Sequence, residues 1–442
     1  MSLELTDQAV LEPGDRSPEI PQMSQPAFKS DFLQTMRDRG YIHQITHPEE
    51  LDEAASRGGP IIGYIGYDAT APSLHVGNLI TIMMLRRLQQ TGHKPIVIVG
   101  GGTTKVGDPS GKDETRKLLS HDDIQANIAT QKQAFAKFLK FGDGPTDAVL
   151  VDNDEWLSKL GYIDFLRDYG VHFTINRMLA FDSVKLRLDR EQPLTFIEFN
   201  YMLMQATDFL ELNRRYGCVL QMGGSDQWGN IVNGVDLTRR VEGVEVFGVT
   251  TPLITTASGA KMGKTAAGAV WLNPDLLSPY DYWQFWRNTE DGDVGRFLRL
   301  YTDLPLDEIA RLEALPGAEI NDAKIRLANE ATTLLHGVEQ AMASELTARL
   351  AFKDGQAAAG LPTIEVDRSA FPHSRTTAGL VKEAGLAASL GEARRLIANG
   401  GVAINDRRMT QDEQHAYDQL LPDVQAFKVQ VGKKKIVLVK PV

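Results

Sequence analysis

A histidine and a glycine stand where a predicted strand gives way to a predicted helix, in the segment Ser73–Asn78 (SLHVGN). A helix N-terminus offers unpaired N–H groups and the positive end of its dipole, and both favour phosphate. Gly77 would let a nucleotide lie close to the backbone, while His75 and Thr70 could donate hydrogen bonds to its phosphates. A core histidine beside a helix-start glycine is the alternative explanation.

Two lysines stand among small residues, at Lys261 and Lys264 of the segment Ser258–Thr265 (SGAKMGKT). Such a cationic loop could close over a triphosphate and neutralise the charge that develops as pyrophosphate leaves. An isolated pair at this spacing is more often part of a solvated surface loop. The motif therefore indicates a phosphate-binding loop only in combination with the other motifs.

A third motif is a polar stripe on the predicted helix 197–213. Spacings of four and three residues place Tyr201, Gln205 and Asp208 on one face, among Leu and Met side chains. Buried polar groups need partners, so the stripe indicates a small polar ligand. The alternative is a network in which the three side chains bond only within the core.

Two glycine-containing turns complete the set. In Gln221–Asn230 (QMGGSDQWGN) the glycines would permit close approach of a ligand, and Asp226 could bind ribose hydroxyls. After an earlier predicted strand, the segment 107–112 ends in Lys112, which together with Arg116 could reach phosphates. Each segment could equally be an ordinary tight turn.

The elements that must position these residues alternate between short apolar runs and amphipathic stretches. This alternation predicts an α/β fold with a doubly wound parallel sheet of Rossmann type. Ligands bind such sheets beyond the carboxyl ends of the strands. The predicted strands are 60–67, 95–99, 147–151, 218–222 and 246–250, and the predicted helices are Val76–Gln90, 122–140, 197–213 and 226–242.

Changes in pattern divide the chain into five regions. A proline-containing segment without hydrophobic period is expected to be a mobile extension, and the α/β region is followed by consecutive helices. A stretch with several glycines and prolines is expected to be a linker before a compact α+β tail. The regions are 1–28 (extension), 29–275 (α/β domain), 276–352 (helical domain), 353–372 (linker) and 373–442 (tail).

Composition restricts the class of protein. No apolar run reaches the ~18 residues that a membrane helix needs, and the N-terminus lacks the apolar core of a secretory signal. Cys218 is the one cysteine in 442 residues, so we expect a cytoplasmic protein without a disulfide or a protein-ligated metal. The net charge of −11 divides into −15 before residue 371 and +4 after it, a basic tail suited to a polyanion.

Together the motifs resemble those of one family. Tyr64–Asn78 (YIGYDATAPSLHVGN) is similar to the HIGH region of class I aminoacyl-tRNA synthetases, and Lys261–Thr265 (KMGKT) is similar to their KMSKS loop. The Tyr-x3-Gln-x2-Asp helix and the GGSDQWGN turn resemble bacterial tyrosyl-tRNA synthetases in particular. The tail resembles the S4 RNA-binding domain that ends those enzymes, so the resemblance spans about residues 35–442.

The resemblance implies a tyrosine site. In this family a tyrosine on the first strand and an aspartate on the stripe helix hold the substrate phenol, and here these are Tyr64 and Asp208. Phenylalanine would leave both groups unpaired at a high cost, a discrimination for which this family is itself the standard example. The residues implied at the substrate ammonium are Asp108, Tyr201 and Gln205, with Gln227 near the carboxylate.

The resemblance also implies a mechanism without a nucleophilic side chain. The tyrosine carboxylate attacks the α-phosphorus of Mg–ATP, and the terminal ribose of tRNA then takes the tyrosine. Asn78 replaces the second histidine of the HIGH signature, and Ile65 replaces a ribose-contacting cysteine of some members. The implied ATP-binding residues are Gly66, Asp68, His75, Gly77, Asn78, Gly224, Asp226, Lys261 and Lys264, the catalytic ones are Thr70, His75, Asn78, Lys261, Lys264 and Thr265, and the pyrophosphate-assisting ones are Lys112 and Arg116.

The implied partners are tRNA(Tyr) and a second copy of the chain, since members of the family are homodimers. The helical domain would approach the anticodon arm, and basic residues of the tail would contact RNA phosphates. These residues are Arg394, Arg395, Arg407, Arg408, Lys433, Lys434 and Lys435.

Two alternatives stay open. A tryptophanyl-tRNA synthetase shares the fold and both signatures, but Tyr64 with Asp208 suits a hydroxyl, and the S4-like tail also favours tyrosine. A non-catalytic RNA-binding protein could use the same scaffold. The retained His75, Lys261, Lys264 and Asp226 favour an enzyme.

Overall fold

The computed structural model describes residues 27–108, 119–259, 262–265, 268–353, 361–366, 374–416, 419–421, 426–432 and 435–442. Within those residues no helix is long and apolar enough to cross a membrane. The expected mobile extension lies outside the described residues except for its last two. The predicted site residues outside them are Lys112, Arg116, Lys261, Lys433 and Lys434, and for Lys264 and Thr265 only the backbone is described.

A six-stranded sheet forms the centre of the α/β domain, and its strands run parallel except at one edge. The predicted parallel, doubly wound sheet is thereby confirmed. The antiparallel edge strand was not predicted because two residues are too short to show a periodic pattern. The strands are β1 (Gln44–Ile45), β2 (Ile62–Tyr67), β3 (Lys94–Val99), β4 (Val149–Asp152), β5 (Leu220–Gly224) and β6 (Phe247–Thr251), in the spatial order β1-β6-β5-β2-β3-β4.

Helices accompany this sheet, and the four that were predicted end within a few residues of the expected positions. Four short helices between β4 and the long stripe helix were not predicted, because they are too short for a clear helical period. The helices are α1 (Asp31–Asp38), α2 (Pro48–Ser56), α3 (Val76–Gln90), α4 (His121–Phe138), α5 (Asp154–Leu157), α6 (Tyr162–Asp168), α7 (Ile175–Leu179), α8 (Asp182–Asp189), α9 (Phe196–Tyr216) and α10 (Trp228–Glu242).

Alternation along β2 sends neighbouring side chains into different buried layers. Ile65 and Tyr67 belong to the core that contains the apolar side chains of α3. Tyr64 belongs to the opposite layer and packs edge-on against Phe209 of α9, with ring centroids 5.3 Å apart. The strand therefore directs Tyr64 toward the helix that carries the polar stripe.

Local sequence fixes the stripe helix at both ends. Thr195 and Glu198 form a capping box at its start, where the Thr195 hydroxyl accepts from the Glu198 N–H. Gly217 ends it with φ of +67°, in the left-handed region that glycine adopts most easily. The 21 residues between these caps set the positions of Tyr201 and Asp208 relative to the sheet.

The helical domain contains no strand in the described residues between 279 and 353, as predicted. Its Asp303 accepts hydrogen bonds from Arg86 and Arg87, near the end of α3. Burial alone would raise the pKa of Asp303, but the two guanidinium groups lower it to about 2. After the short hairpin β7 (Lys264–Thr265) and β8 (Gly268–Ala269), the helices are α11 (Pro279–Arg287), α12 (Val294–Tyr301), α13 (Leu306–Glu313), α14 (Ile320–His336) and α15 (Val338–Lys353).

The tail contains a five-stranded sheet and two helices, consistent with the compact α+β unit expected there. The expected linker differs, because part of it is a strand that pairs in parallel with the last strand. That segment, Thr363–Val366 (TIEV), alternates polar and apolar residues, but nearby glycine and proline obscured the pattern. The elements are β9 (Thr363–Val366), β10 (Ser374–Thr376), α16 (Thr377–Glu383), α17 (Leu390–Ala398), β11 (Val402–Ile404), β12 (Arg407–Met409), β13 (Gln414–Ala416), β14 (Phe427–Val431) and β15 (Lys435–Pro441).

Candidate active site

The two residues predicted to hold a phenol are both buried. Tyr64 is 1% exposed and Asp208 is 3% exposed. The Tyr64 hydroxyl has no hydrogen-bond partner in the described part of the chain. Asp208 accepts from Trp156 Nε1 on Oδ1 at 2.8 Å and from Asn153 Nδ2 on Oδ2 at 3.0 Å. Because each carboxylate oxygen has two lone pairs, Asp208 retains capacity for a further donor from a ligand.

Burial perturbs the ionisation of both groups. It raises the pKa of Asp208 to about 7, although the hydrogen bonds from Asn153 and Trp156 oppose this rise, and two nearby carboxylates increase it. Burial also raises the pKa of Tyr64 well above its ordinary value, and the charge of Asp208 adds to that effect. Tyr64 therefore keeps its proton at neutral pH, whereas Asp208 changes its charge near neutrality.

Sequence reasoning missed Asn153 and Trp156, the two donors to Asp208. Asn153 follows β4 and is 1% exposed. Its Oδ1 accepts from the N–H of Gly102 at 2.8 Å, and its Nδ2 also donates to Thr103 at 3.0 Å. This amide thus connects the glycine turn after β3 with the Asp208 carboxylate. A polar residue directly after a parallel strand was the available signal, since the other motifs occupy the same kind of position.

A second group of predicted residues forms hydrogen bonds across four elements. Gln227 Nε2 donates to Asp108 Oδ2 at 2.9 Å, and Gln205 Nε2 lies 3.4 Å from Gln227 Oε1. The Tyr201 hydroxyl donates to Asp68 Oδ1 at 3.4 Å. Gln205 Oε1 is buried without a hydrogen-bond partner among the described residues. Carboxylates and neutral acceptors gathered in this way suit a cationic ammonium group.

The residues predicted to contact the nucleotide near the ends of β2 and β5 are exposed side chains and glycines in crowded surroundings. Thr70 and Asp226 are exposed. A Cβ added to Gly66 would lie 3.0 Å from a methyl of Ile98, and one added to Gly224 would lie 2.5 Å from Asp226 Oδ1. The two glycines, one within β2 and one at the end of β5, therefore keep these strand ends clear of side-chain bulk.

The loop that carries Thr70 is supported by side chains that the sequence did not single out. The Ala69 N–H donates to Thr104 Oγ1 at 2.9 Å, and Asn127 Nδ2 donates to the Ala69 carbonyl at 2.8 Å. Gln131, which is 1% exposed, donates to two further carbonyls of the loop. Asn127 and Gln131 are four residues apart on α4, the spacing that also revealed the stripe on α9.

The HIGH segment and the lysine loop meet at the start of α3. His75 Nδ1 accepts from the Gly77 N–H at 3.0 Å, so the neutral ring carries its proton on Nε2. The His75 N–H donates to Asn78 Oδ1 at 3.1 Å. A Cβ on Gly77 would lie 3.1 Å from the Met262 carbonyl oxygen, and one on Gly263 would lie 2.9 Å from the Gly77 nitrogen. Two glycines thus allow the two backbones to touch.

The predicted RNA-binding residues within the described tail are exposed. Arg394 pairs with Asp412 at 3.1 Å, and Arg407 pairs with Glu413. These ion pairs hold the guanidinium groups in place while leaving them open to solvent. The exposed basic residues are Arg394, Arg395, Arg407, Arg408 and Lys435.

Known proteins resemble this chain over nearly its whole length. Residues 56–353 match the family model of tRNA synthetases class I (W and Y). The tyrosine--tRNA ligase of Caulobacter sp. (strain K31) is 69% identical over 94% of this chain and 99% of its own, and that of Xanthobacter autotrophicus is 60% identical over 95% and 100%. A C-terminally truncated mitochondrial tyrosyl-tRNA synthetase from Aspergillus nidulans has a solved structure that matches with a TM-score of 0.66 at 31% identity, covering 73% of this chain and 94% of that one.

The fold and the family match define a class I tRNA synthetase of the group that handles tryptophan or tyrosine. Within that class the chain belongs to the tyrosine--tRNA ligases of bacterial type. The expected family is thereby confirmed, and neither the tryptophanyl nor the non-catalytic alternative is supported.

Proposed function

We propose that the chain converts L-tyrosine and ATP to tyrosyl-adenylate and pyrophosphate, and then transfers the tyrosine to the 3′ end of tRNA(Tyr). One observation carries the assignment of residues. The buried Tyr64 hydroxyl lacks a partner among the described residues, and the negative charge of Asp208 contributes to the raised pKa of Tyr64. A phenol is the ligand that completes this arrangement, because it can donate and accept at once.

Tyrosine is recognised through its hydroxyl. The phenol donates to Asp208 and accepts from Tyr64, whose raised pKa keeps its own proton available. Phenylalanine would leave the Tyr64 hydroxyl without a partner and would give Asp208 no donor beyond Asn153 and Trp156. In this family the loss of the substrate hydroxyl corresponds to a discrimination on the order of 10⁵. At the other end of the substrate, Asp108, Tyr201 and Gln205 bind the ammonium group and Gln227 orients the carboxylate.

Adenylate formation proceeds by positioning and by charge stabilisation. The substrate carboxylate attacks the α-phosphorus, and negative charge grows on the phosphate oxygens. Thr70, His75 through Nε2, and Asn78 donate to these oxygens. Lys261, Lys264 and Thr265 of the lysine loop neutralise charge on the triphosphate, and Lys112 and Arg116 assist the departing pyrophosphate.

ATP binds along the carboxyl ends of β2 and β5. Asp226 and Gly224 receive the ribose, while Gly66, Asp68 and Gly77 allow the nucleotide to lie against the backbone. Magnesium belongs to the Mg–ATP substrate in this proposal. Among the described residues, no three histidine, cysteine or carboxylate side chains are grouped as metal ligands.

The partners are tRNA(Tyr) and a second copy of the chain. The exposed arginines of the tail supply contacts to RNA phosphates. The contact between copies is assigned to the exposed apolar side chains from α6 to the start of α9, because several exposed apolar side chains in one segment favour burial against a partner. We place the reaction in the cytoplasm. The exposed apolar residues are Tyr162 (61%), Ile163 (71%), Val171 (70%), Ile175 (59%), Phe196 (68%) and Ile197 (47%).

ATP–pyrophosphate exchange with each of the twenty amino acids tests the proposed activation step. Exchange that depends on tyrosine, with phenylalanine and tryptophan at background, is the expected result. Exchange with tryptophan and not tyrosine, or no exchange with any amino acid, would overturn the proposal. Lys264→Ala should slow exchange severely while leaving tyrosine affinity nearly unchanged, because its contact forms mainly in the transition state.

A further inference from the structure

A buried carboxylate just before α12 bonds the backbone that leads into the lysine loop. Asp293 is 3% exposed, and its Oδ2 accepts from the N–H of Ala257 at 2.7 Å. Its Oδ1 accepts from Arg296 Nη2 at 2.6 Å. The same guanidinium nitrogen donates to the carbonyl of Thr255. One acidic residue thus fixes two loop residues, one directly and one through an arginine.

The far side of the loop is attached to the same helix. Met262 is buried, and its N–H donates to the carbonyl of Ile254 at 3.1 Å. The hydroxyl of Tyr301, at the end of α12, donates to Met262 Sδ at 3.4 Å. The carbonyl of Met262 lies against Gly77 of the HIGH segment. Asp293 and Tyr301 therefore connect α12 with the backbone that approaches the phosphate-binding end of the site.

We propose that Asp293 is a positioning residue for adenylate formation. Through Ala257 and Arg296 it fixes the backbone that precedes Lys264 in the chain. The position of that lysine therefore depends on the helical domain. Ordering a loop costs backbone entropy for each residue. If the loop is already fixed before the reaction, this entropy is not lost again when its lysine contacts the transition state. The inference rests on the proposed role of Lys264.

Asp293→Asn tests the inference with little change in size. An amide can accept one of the two hydrogen bonds, but its NH₂ group would then face a second donor. Single-turnover adenylate formation at saturating ATP and tyrosine is expected to slow about tenfold, the effect typical of one lost charge-assisted hydrogen bond. The tyrosine dissociation constant is expected to stay within about twofold of the unmodified protein.

Asp291→Asn is the matched control. Asp291 lies in the same turn, has a side chain 72% exposed, and pairs with Lys324 rather than with the loop. Its substitution is expected to leave the single-turnover rate unchanged. Arg296→Met is a second variant that keeps the Asp293 carboxylate but removes the contact with Thr255, and it should slow the same step.

A double-mutant cycle with Lys264→Ala separates positioning from general structural support. If Asp293 acts through Lys264, Asp293→Asn should change the rate by no more than about twofold in the Lys264→Ala background. Equal slowing in both backgrounds, or an unchanged rate for Asp293→Asn alone, would overturn the inference. A normal rate for Lys264→Ala would instead overturn the proposed role of that lysine, and this inference with it.

Discussion

Asp208 is expected to make tyrosine binding depend on pH. Its pKa is raised to about 7 by burial, so below that pH the ligand-free protein carries a proton on this carboxyl. The proposed contact needs the ionised form, because a carboxylate accepts the phenol O–H best. Binding must then release the proton. The tyrosine dissociation constant should therefore rise as pH falls from about 8 to about 6, by up to about tenfold per pH unit below the pKa.

Isothermal titration calorimetry across this range measures the effect. Asn153→Ala removes a donor that lowers the pKa of Asp208, so its binding curve should shift to higher pH. Asn321→Ala, in the helical domain, is the control and should leave the curve in place. A dissociation constant that does not vary with pH would contradict the coupling.

At the scale of single residues, a regular spacing allowed the sequence to place side chains on a common helix face. Tyr201, Gln205 and Asp208 share one helix face, and the structure brings the first two into bonds with Asp68 and Gln227. Asn153 and Trp156 have no such spacing relative to Asp208. Their role depends on the adjacency of β4 and α9, which only the tertiary fold supplies.

At the scale of elements, the start of α3 and the lysine loop depend on glycine for their contact. Gly77→Ala would place a methyl 2.7 Å from the His75 ring and 3.1 Å from the Met262 carbonyl, so the ring or the loop must move. Exchange should slow by roughly tenfold or more while tyrosine binding changes little, since the disturbed groups are the ones proposed to bind the phosphates. Gly59→Ala, which meets no atom within 4 Å, is the control for exchange assays. Equal activity of both variants would show that the contact is dispensable.

The long elements were predictable because burial of one or two faces requires apolar residues at regular intervals in the sequence. α3 matches its predicted bounds, and β3 and β5 lie within two residues of theirs. β1 and β9 were missed for another reason. β1 has only two residues, and glycine and proline near β9 obscured its alternation, so neither pairing, with β6 and with β15, could be predicted.

At the scale of the whole molecule, the tail is expected to serve tRNA and not amino-acid activation. Because β9 belongs to the sheet of the tail, a truncation should end at residue 353 so that no unpaired strand remains. The truncated protein should keep tyrosine-dependent exchange but lose tRNA charging, measured by aminoacylation with labelled tyrosine. Undiminished charging would show that the tail is dispensable.

The molecular mass of the protein in solution tests the proposed contact between copies. Light scattering should give twice the chain mass of 48.8 kDa for the unmodified protein. Phe196→Asp should shift the mass toward one chain, because burying an unpaired carboxylate in an apolar interface is costly. Val338→Asp, which changes an apolar residue 57% exposed on α15, should remain dimeric. A Phe196→Asp variant that stays dimeric would place the interface elsewhere.

The most direct measurement is a crystal structure of the protein with bound L-tyrosine. The phenolic oxygen should lie within about 3 Å of both the Tyr64 hydroxyl and an Asp208 carboxylate oxygen, the range of good O–H···O hydrogen bonds. Asn153 and Trp156 should keep their bonds to that carboxylate. A ring oxygen bound by other groups, with Tyr64 still unpaired, would contradict the account.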